Sequence, residues 1–370
     1  MRILLTGGGT GGHIYPALAI ARGLKERLPE AELLYVGSCN GLEVELIPRE
    51  GIPLATIDVR GLLGKSPGRK VSGVARAALA CIQSLRILRR FRPRVVVGTG
   101  GYVCGPVVLM AMAMHIPTAL QEQNVFPGST NRFLARWADL VFVPFQEASR
   151  YFPRGARLVV SGNPVRREIL EVRREEGAHA VGLDPGRPIV LVFSGSRGAR
   201  SINRAMLEVI ESRGTRLPAQ LLYITGREYY SWVKERLRDM GIDVEKAGNI
   251  TIRPYLYNME HALAAADLVV SRAGAMTLAE ITARGLPAVL IPSPHVANNH
   301  QEYNARLLES KGAAVLISDR EVSGERLVQA IASLLANPAR LRDMAAASKE
   351  AGKPDALFTI IEGILSLMEK

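Results

Sequence analysis

Three short segments of this sequence carry residues whose types and spacing suit phosphate binding. The first is a glycine run, GGGTGG over residues 7–12, followed directly by His13. Glycines let a backbone approach an anion closely, and the free amides at a helix N-terminus favour negative charge. A histidine beside such a loop can accept a proton near neutral pH. The segment therefore predicts an anion-binding loop with a candidate general base; the alternative is a histidine that only satisfies a local backbone group.

The glycine run also matches the GxGxxG pattern of dinucleotide-binding loops. Such a site needs an acidic residue at the end of the second strand to hold the ribose, but residues 36–39 are VGSC. This counts against NAD and FAD. A structural tight turn and a loop for a different phosphorylated ligand both remain as interpretations.

The other two segments lie in the second half of the chain. Residues 194–199, SGSRGA, place Ser196 on a loop where its hydroxyl suits a phosphate better than nucleophilic attack, because Ser194 replaces the first glycine of GxSxG. Residues 271–280 place small residues and Thr277 at the start of a predicted helix, with Glu280 one turn inside. Helix amides there favour a diphosphate, and Glu280 suits the vicinal hydroxyls of a sugar. A capping box formed by Thr277 and Glu280 explains the same spacing.

Each of these loops follows a predicted strand and precedes a predicted helix. Residues 3–36 indicate strand, glycine loop, helix and strand, and the same order recurs from residue 189. Residues 94–101 and 267–274 form a second similar pair, each a buried strand followed by a turn and a helix. The sequence therefore predicts an α/β protein with two Rossmann-like parallel-sheet domains facing across a cleft.

The boundary between the two domains is predicted near residues 163–165, because the segment that follows is charged and contains several glycines. We expect an N-terminal domain over residues 1–163, a C-terminal domain over 164–340 and further helices over 341–370. The uncharged stretch from residue 95 to 121 is broken by glycines, so we expect no membrane-spanning helix.

The net charge of +12, from 47 Lys+Arg and 35 Asp+Glu, predicts an anionic partner. No acidic residue occurs between Asp58 and Glu122, and apolar residues recur there every three or four positions. This indicates a basic amphipathic helix that suits an anionic membrane surface, the alternative being an ordinary solvated basic face. The membrane candidates are Arg86, Arg89 and Arg90. An aromatic content of 5% and the lack of a base-recognition motif count against nucleic acid.

The three cysteines show no CxxC spacing, and the histidines show no metal-ligand spacing. We therefore expect neither a disulfide framework nor a metal site, in a reducing cytoplasm.

With these pieces placed, the sequence closely resembles the MurG family, the UDP-N-acetylglucosamine (UDP-GlcNAc) transferases that convert lipid I to lipid II in bacterial peptidoglycan synthesis. The resemblance covers nearly the whole chain. It is carried by TGGGTGGH (6–13), GGY (100–102), EQN (122–124), GNPVR (162–166), SGSRGA (194–199), AGAMTLAE (273–280) and HQ (300–301). Ser194 departs from the family, where glycine is common, which affects the loop geometry rather than the class.

The resemblance implies a GT-B fold, with the acceptor in the N-terminal domain, the sugar nucleotide in the C-terminal domain and the last helix packing back on the first domain. It implies inverting transfer without a cofactor or metal, with His13 as the best candidate base and Glu122 and Tyr102 beside it. The implied substrate-binding residues are Thr10, Gly11, Gly12, Asn124, Arg166, Ser196, Leu256, Ala275, Met276, Thr277, Leu278, Ala279, Glu280 and Gln301. Among these, Ser196 and residues 275–277 would contact the diphosphate, Glu280 the ribose, Leu256 the uracil and Gln301 the transferred sugar.

The implied partners are UDP-GlcNAc, lipid I and the anionic inner leaflet, with peripheral attachment at the cytoplasmic face of the membrane. Two rivals share the fold: a UDP-GlcNAc 2-epimerase, and a GT-B transferase with another lipid acceptor. A non-catalytic basic binding protein is the rival of a different class.

Overall fold

The computed structural model describes residues 1–59, 67–195, 197–213, 217–243 and 248–369, apart from the side chains of residues 67–75 and 213. Ser196, the predicted phosphate donor, lies outside these residues. The chain divides into two compact units: Met1–Pro164 with Asp355–Lys370, and Val165–Pro354.

The first unit is built on a parallel sheet with the order β3-β2-β1-β4-β5-β6-β7 among the described residues. Its strands are β1 (Arg2–Thr6), β2 (Glu32–Ser38), β3 (Leu54–Ile57), β4 (Val95–Gly98), β5 (Thr118–Gln121), β6 (Leu140–Val143) and β7 (Leu158–Val160). Its helices are α1 (Gly11–Arg27), α2 (Glu43–Arg49), α3 (Pro67–Phe91), α4 (Cys104–Ala113), α5 (Ser129–Leu134) and, much later in the chain, α15 (Ala356–Met368). A 3-10 helix spans Gln146–Tyr151.

Strand β1 shows how this sheet becomes buried on both faces. Ile3 and Leu5 pack in one core with α1 and α15. Leu4 packs on the opposite face with α3 and α4. Because side chains alternate along a strand, a continuous apolar run supplies both cores at once.

The second unit contains a parallel sheet with the order β10-β9-β8-β11-β12-β13 among the described residues. Its strands are β8 (Ile189–Phe193), β9 (Gln220–Ile224), β10 (Ile250–Arg253), β11 (Leu268–Ser271), β12 (Ala288–Leu290) and β13 (Ala314–Leu316). Its helices are α6 (Arg167–Glu171), α7 (Arg174–Val181), α8 (Arg200–Arg213), α9 (Tyr230–Asp239), α10 (Met259–Ala265), α11 (Ala275–Arg284), α12 (His300–Ser310), α13 (Gly324–Leu335) and α14 (Pro338–Ala351).

Helix α15 belongs to the first unit although it follows the second in the chain. Ile360 and Ile364 are completely buried in the core beside β1. At Gly363 a Cβ atom would lie only 2.7 Å from the ring of Phe142, so glycine permits close packing. Arg94 Nη2 donates to the carbonyl of Met368 at 2.7 Å and fixes the end of this helix.

None of the helices that the structure describes is long and apolar enough to span a bilayer. In the same part of the chain, no group of three His, Cys, Asp or Glu side chains is arranged to hold a metal ion.

Candidate active site

The first unit gathers its chemistry-bearing loops at one edge of the sheet. Strands β1, β4 and β5 are adjacent and parallel, so the loops after Thr6, Gly98 and Gln121 leave the same edge. Ligand sites of parallel sheets form at the carboxyl ends of the strands.

The glycine loop after β1 is held from behind by two buried side chains. Tyr35 donates its hydroxyl to the carbonyl of Gly7 at 2.9 Å. Glu43, which is fully buried, accepts from the amide of Ser38 at 2.9 Å and lies 3.5 Å from the amide of Gly9. A Cβ atom at Gly8 would lie less than 2.5 Å from this carboxylate. The second position of the run therefore requires glycine, because the Glu43 carboxylate fills the space that a side chain would occupy.

The loop after β4 packs directly on this glycine run. Gly101 has φ +80°, and a Cβ atom there would collide with the carbonyl oxygen of Gly8. Tyr102 places its ring against Gly9, which itself has φ +85°. Both positive φ angles favour glycine. The contact between the two loops therefore explains why glycine occupies these two positions.

The imidazole of His13 is half-buried, and its environment fixes which nitrogen carries hydrogen. Nδ1 lies 3.0 Å from the carbonyl oxygen of Thr99 and 2.9 Å from Oε1 of Gln123. Both partners are acceptors, so Nδ1 must donate. In the neutral ring, Nε2 then keeps the lone pair that a general base needs.

Glu122 is almost fully buried, and its carboxylate is occupied by the loop that follows β5. One oxygen accepts from the amides of Gln123 and Asn124 at 3.0 and 2.9 Å. The other accepts from the amide of Gly128 at 3.1 Å and from Nδ2 of Asn131 at 2.9 Å. This geometry favours Glu122 as an organiser of the loop.

In the second unit, a cleft of about 1240 Å³ opens where β8, β11 and β12 end. It is bordered by Ser194, Gly195, Arg272, Gly274, Thr277 and Gln301, among others. Ser194 Oγ is buried and has no hydrogen-bond partner among the described residues. Gln301 accepts from the amide of Ser293 through Oε1 at 2.8 Å. The structure thus brings Thr277 and Gln301 to one cleft, as the resemblance implies.

Helix α11 begins after Gly274, and no side chain of the described residues caps it. Thr277 lies at the third helical position rather than at the cap. The capping-box interpretation of Thr277 and Glu280 is therefore wrong. The backbone amides in the first turn of a helix carry partial positive charge, which favours an anion at this end.

Arg272 and Asp319 are site residues that the sequence analysis missed. The Arg272 guanidinium contacts the Asp319 carboxylate, donates to Ser201 Oγ at 2.9 Å and reaches the carbonyl of Ile291 at 3.0 Å. It therefore ties the ends of β11 and β12 to the start of α8. The available signal was a lone arginine in a loop of small residues directly after a buried strand.

Glu280 lies in a partly buried cluster of charges. Burial raises the pKa of Glu280 to about 7; the Arg166 guanidinium opposes this rise, and the Glu260 carboxylate adds to it. Arg166 Nη2 lies 3.5 Å from Glu260 Oε2. The structure therefore brings Arg166 and Glu280 into one electrostatic environment, and it adds Glu260, which sequence reasoning did not identify.

The remaining predicted residues differ in exposure. Leu278 and Leu256 are both buried in the second unit, whereas Ala275, Met276 and Ala279 are partly exposed on α11. In the first unit Thr10 and Gly12 are exposed, and Gly11 and Asn124 are partly exposed. The membrane candidates Arg86, Arg89 and Arg90 are exposed on α3.

The comparisons with known proteins cover both units. Residues 3–143 match the glycosyltransferase family 28 N-terminal domain, and residues 189–360 match its C-terminal domain. The chain is 51% identical, over all of both chains, to the UDP-N-acetylglucosamine--N-acetylmuramyl-(pentapeptide) pyrophosphoryl-undecaprenol N-acetylglucosamine transferase of Moorella thermoacetica. It is 48% identical, also over all of both chains, to the protein of the same name from Desulforamulus reducens.

Among solved structures, Acinetobacter baumannii MurG is similar with a TM-score of 0.80, 27% identity and 99% of each chain covered. A putative UDP-N-acetylglucosamine 2-epimerase from Listeria monocytogenes shares the fold alone, with a TM-score of 0.68, 16% identity, and 100% of this chain and 96% of that chain covered. The predicted GT-B class, with two parallel-sheet domains, is confirmed. Since relatives of about half-identical sequence span its full length, this chain belongs to the MurG family of glycosyltransferases.

Proposed function

We propose that this protein transfers GlcNAc from UDP-GlcNAc to the lipid-linked N-acetylmuramyl-pentapeptide, lipid I, and releases lipid II and UDP. The observation that carries the proposal is the 51% identity, over the full length of both chains, to a transferase named for this donor and acceptor. The two loop clusters described above supply a place for each reactant.

The second unit is the proposed donor site. The first-turn amides of α11, Thr277 and Arg166 stabilise the diphosphate as its charge grows on departure. Ser196, Ala275 and Met276 complete the phosphate contacts. Glu280 accepts from the ribose hydroxyls, the backbone of Leu256 pairs with uracil and Gln301 contacts the transferred sugar. Leu278 and Ala279 shape the helix behind them, and no metal or cofactor is needed in this scheme.

The first unit is the proposed acceptor site, and residues 10–12 and Asn124 are proposed substrate-binding residues on its loops. The C4 hydroxyl oxygen of the muramoyl sugar bonds to the anomeric carbon of GlcNAc as the bond from that carbon to the UDP oxygen breaks. UDP keeps the electron pair, the hydroxyl proton passes to His13 Nε2, and the anomeric configuration inverts from α to β. Tyr102 supports the glycine loop, and Glu122 holds the loop that presents Asn124.

Membrane attachment is proposed for the basic outer face of α3. Leu79 and Ile82 are exposed there although they are apolar, and Arg86, Arg89 and Arg90 follow them at helical spacing. Cations beside exposed apolar side chains suit the interface of an anionic leaflet. Helix α3 packs against α4, and near the end of α4 the half-exposed Trp137 lines an apolar groove with Leu109 and Met112. We propose peripheral attachment at the cytoplasmic face through these surfaces.

The first experiment measures UDP release from UDP-GlcNAc with and without a soluble lipid I analogue, with UDP-GalNAc as the donor control. Release that requires the acceptor and yields a disaccharide supports the proposal. Conversion of UDP-GlcNAc to its C2 epimer without acceptor would contradict it in favour of the epimerase. If the protein showed no turnover and bound no UDP, only the non-catalytic binding protein would remain as an interpretation.

A further inference from the structure

We infer that Gln123 is a positioning residue that sets the tautomer of His13, and that it does so at the end of a ladder of buried amides that begins at Asn163. The inference deepens the proposed function, because it matters for turnover only if His13 is the base. It assigns a role to Gln123 and Asn163, which belong to sequence motifs, and to Gln121 at the end of β5; none of the three has a role in the scheme above.

The ladder begins at Asn163, which lies just before the boundary between the units. Its Nδ2 donates to the backbone carbonyl of Gln123 at 2.9 Å. This contact fixes the orientation of the amide, so Oδ1 faces Gln121 and accepts from its Nε2 at 2.8 Å. The backbone carbonyl of Glu122 accepts from the same Nε2 at 3.1 Å.

The orientation of Gln121 in turn fixes the orientation of the Gln123 side-chain amide. Because Nε2 of Gln121 already donates to Asn163, Oε1 of Gln121 faces Gln123 and accepts from its Nε2. The same Nε2 of Gln123 also donates to the backbone carbonyls of Thr99 and Gln121, at 2.8 and 2.9 Å. Three acceptors surround this NH₂ group, so Oε1 of Gln123 must face the other way, towards His13 Nδ1 at 2.9 Å.

The three amides are almost completely buried: Gln121 is 0% exposed, Gln123 2% and Asn163 4%. Reversing one amide would set donor against donor or acceptor against acceptor where water cannot compensate. The ladder therefore has one direction, and it ends by requiring a hydrogen on His13 Nδ1. The Thr99 carbonyl, 3.0 Å from the same nitrogen, adds a second acceptor, but it also serves Gln123.

The chemical consequence lies at Nε2. An imidazole with hydrogen on Nε2 cannot remove a proton from a hydroxyl at that atom, and a wrong tautomer is known to lower turnover severely in a histidine-dependent enzyme. Because Gln123 is neutral, it sets the tautomer without adding a negative charge that would hold the proton on the ring after transfer.

The primary test is nitrogen NMR of the ¹⁵N-histidine-labelled full-length protein, with the His13 signals assigned by their loss in His13→Ala. The inference expects the neutral imidazole of wild-type His13 to carry hydrogen on Nδ1 and not on Nε2. Hydrogen on Nε2 would overturn the inference, and this measurement needs no variant at position 123.

The variant test compares Gln123→Met with Gln220→Met. Gln220 is a matched control, because it is also a buried glutamine with two side-chain hydrogen bonds, to the backbone of Asp184 in the second unit. Gln123→Met should populate the second tautomer and lower kcat by about tenfold or more, with the KM for UDP-GlcNAc within about twofold. Asn163→Leu should give a smaller change in the same direction, and Gln220→Met should leave the tautomer and kcat unchanged.

Three outcomes decide the matter. An unchanged tautomer in Gln123→Met would mean that the Thr99 carbonyl suffices and would overturn the inference. Equal losses of kcat in Gln123→Met and Gln220→Met would reduce Gln123 to a general stabiliser. Wild-type turnover in His13→Ala would remove the base from the proposed function, whereas the NMR result would still decide what sets the tautomer.

Discussion

His13 and Glu122 lie beside the same loops, but they differ in how much of their hydrogen-bonding capacity is already used. The Glu122 carboxylate accepts from three backbone amides and the side chain of Asn131. The His13 ring uses Nδ1 only to orient itself and keeps the lone pair of Nε2. A group that is fully engaged by its own loop cannot accept a proton without releasing that loop.

Replacing His13 by alanine should therefore lower kcat by about a hundredfold or more, since general bases contribute on that order. UDP affinity should change little, because the proposed nucleotide contacts lie in the second unit. Steady-state kinetics with the lipid I analogue and UDP titration measure both quantities. A variant that turns over at the wild-type rate would remove His13 from the mechanism.

Glu280 should make the stability of the protein depend on pH. Its pKa is raised from 4.5 to about 7 in the folded protein. Between these values the folded state holds a proton that the unfolded state has lost, so this contribution to stability is present below pH 4.5 and is lost as pH rises through 7. The stability of Glu280→Gln relative to the wild type should therefore increase by about 2–3 kcal/mol between pH 5 and pH 8.

Thermal or urea unfolding at both pH values tests this difference. The exposed Glu309→Gln in the same unit is the control and should show no such trend. An equal effect of Glu280→Gln at the two pH values would refute the assigned cause.

The glycine loop and α1 depend on a carboxylate from another helix. Both oxygens of Glu43 act as acceptors, from Ser38 on one side and towards the amide of Gly9 on the other. Glu43→Gln keeps the shape but presents an NH₂ group to one of these donors. We expect the free energy of unfolding to fall by about 1–3 kcal/mol. The KM for the acceptor should rise, whereas the KM for the donor should not change.

Glu45→Gln is the matched control, because Glu45 lies on the same helix but is exposed, and it forms an ion pair with Arg49 one turn later in α2. Unfolding curves and separate KM values for donor and acceptor distinguish the two variants. Identical behaviour of both variants would show that the buried carboxylate does not support the loop.

Helix α3 should carry much of the membrane affinity. Replacing Arg86, Arg89 and Arg90 by glutamine removes three exposed cations, each contributing about 1 kcal/mol near an anionic surface. Sedimentation with vesicles containing anionic lipid should then show a large loss of binding, while turnover of a soluble acceptor persists. Undiminished binding of the triple variant would place the attachment surface elsewhere.

The strand, loop and helix order of both units was predictable from the sequence, because a buried parallel strand is a continuous apolar run and the loop after it is rich in glycine. The partners of the loops were not predictable. Glu43 reaches Gly9 across 34 positions, and Arg272 reaches Asp319 across 47. Such pairs depend on strand order, which local periodicity does not contain. The prediction that Thr277 caps α11 was wrong for a different reason. Gly274 is the N-cap residue, so the helix begins before Thr277, which lies inside its first turn.

The two units should respond differently to changes in α15. Ile360 is completely buried in the first unit, whereas Phe358 on the same helix is 66% exposed. Ile360→Ala should destabilise the first unit by about 2–5 kcal/mol, and Phe358→Ala should have little effect.

The sequence has two tryptophans, Trp137 in the first unit and Trp232 in the second. Fluorescence-detected unfolding in a Trp232→Phe background therefore reports the first unit, and a Trp137→Phe background reports the second. Ile360→Ala should shift only the first transition. A shift of the Trp232 signal alone would contradict the assignment of α15.

The return of the chain to the first unit also has a consequence for biosynthesis. During translation, residues 165–354 leave the ribosome before α15 does, so the second unit can complete its core while the first still exposes the apolar surface that Ile360 and Ile364 will cover. The half of the protein that is made first is therefore finished last. Its nascent form, with a gap beside β1 and α1, is the stage at which chaperones and proteases would find it most accessible.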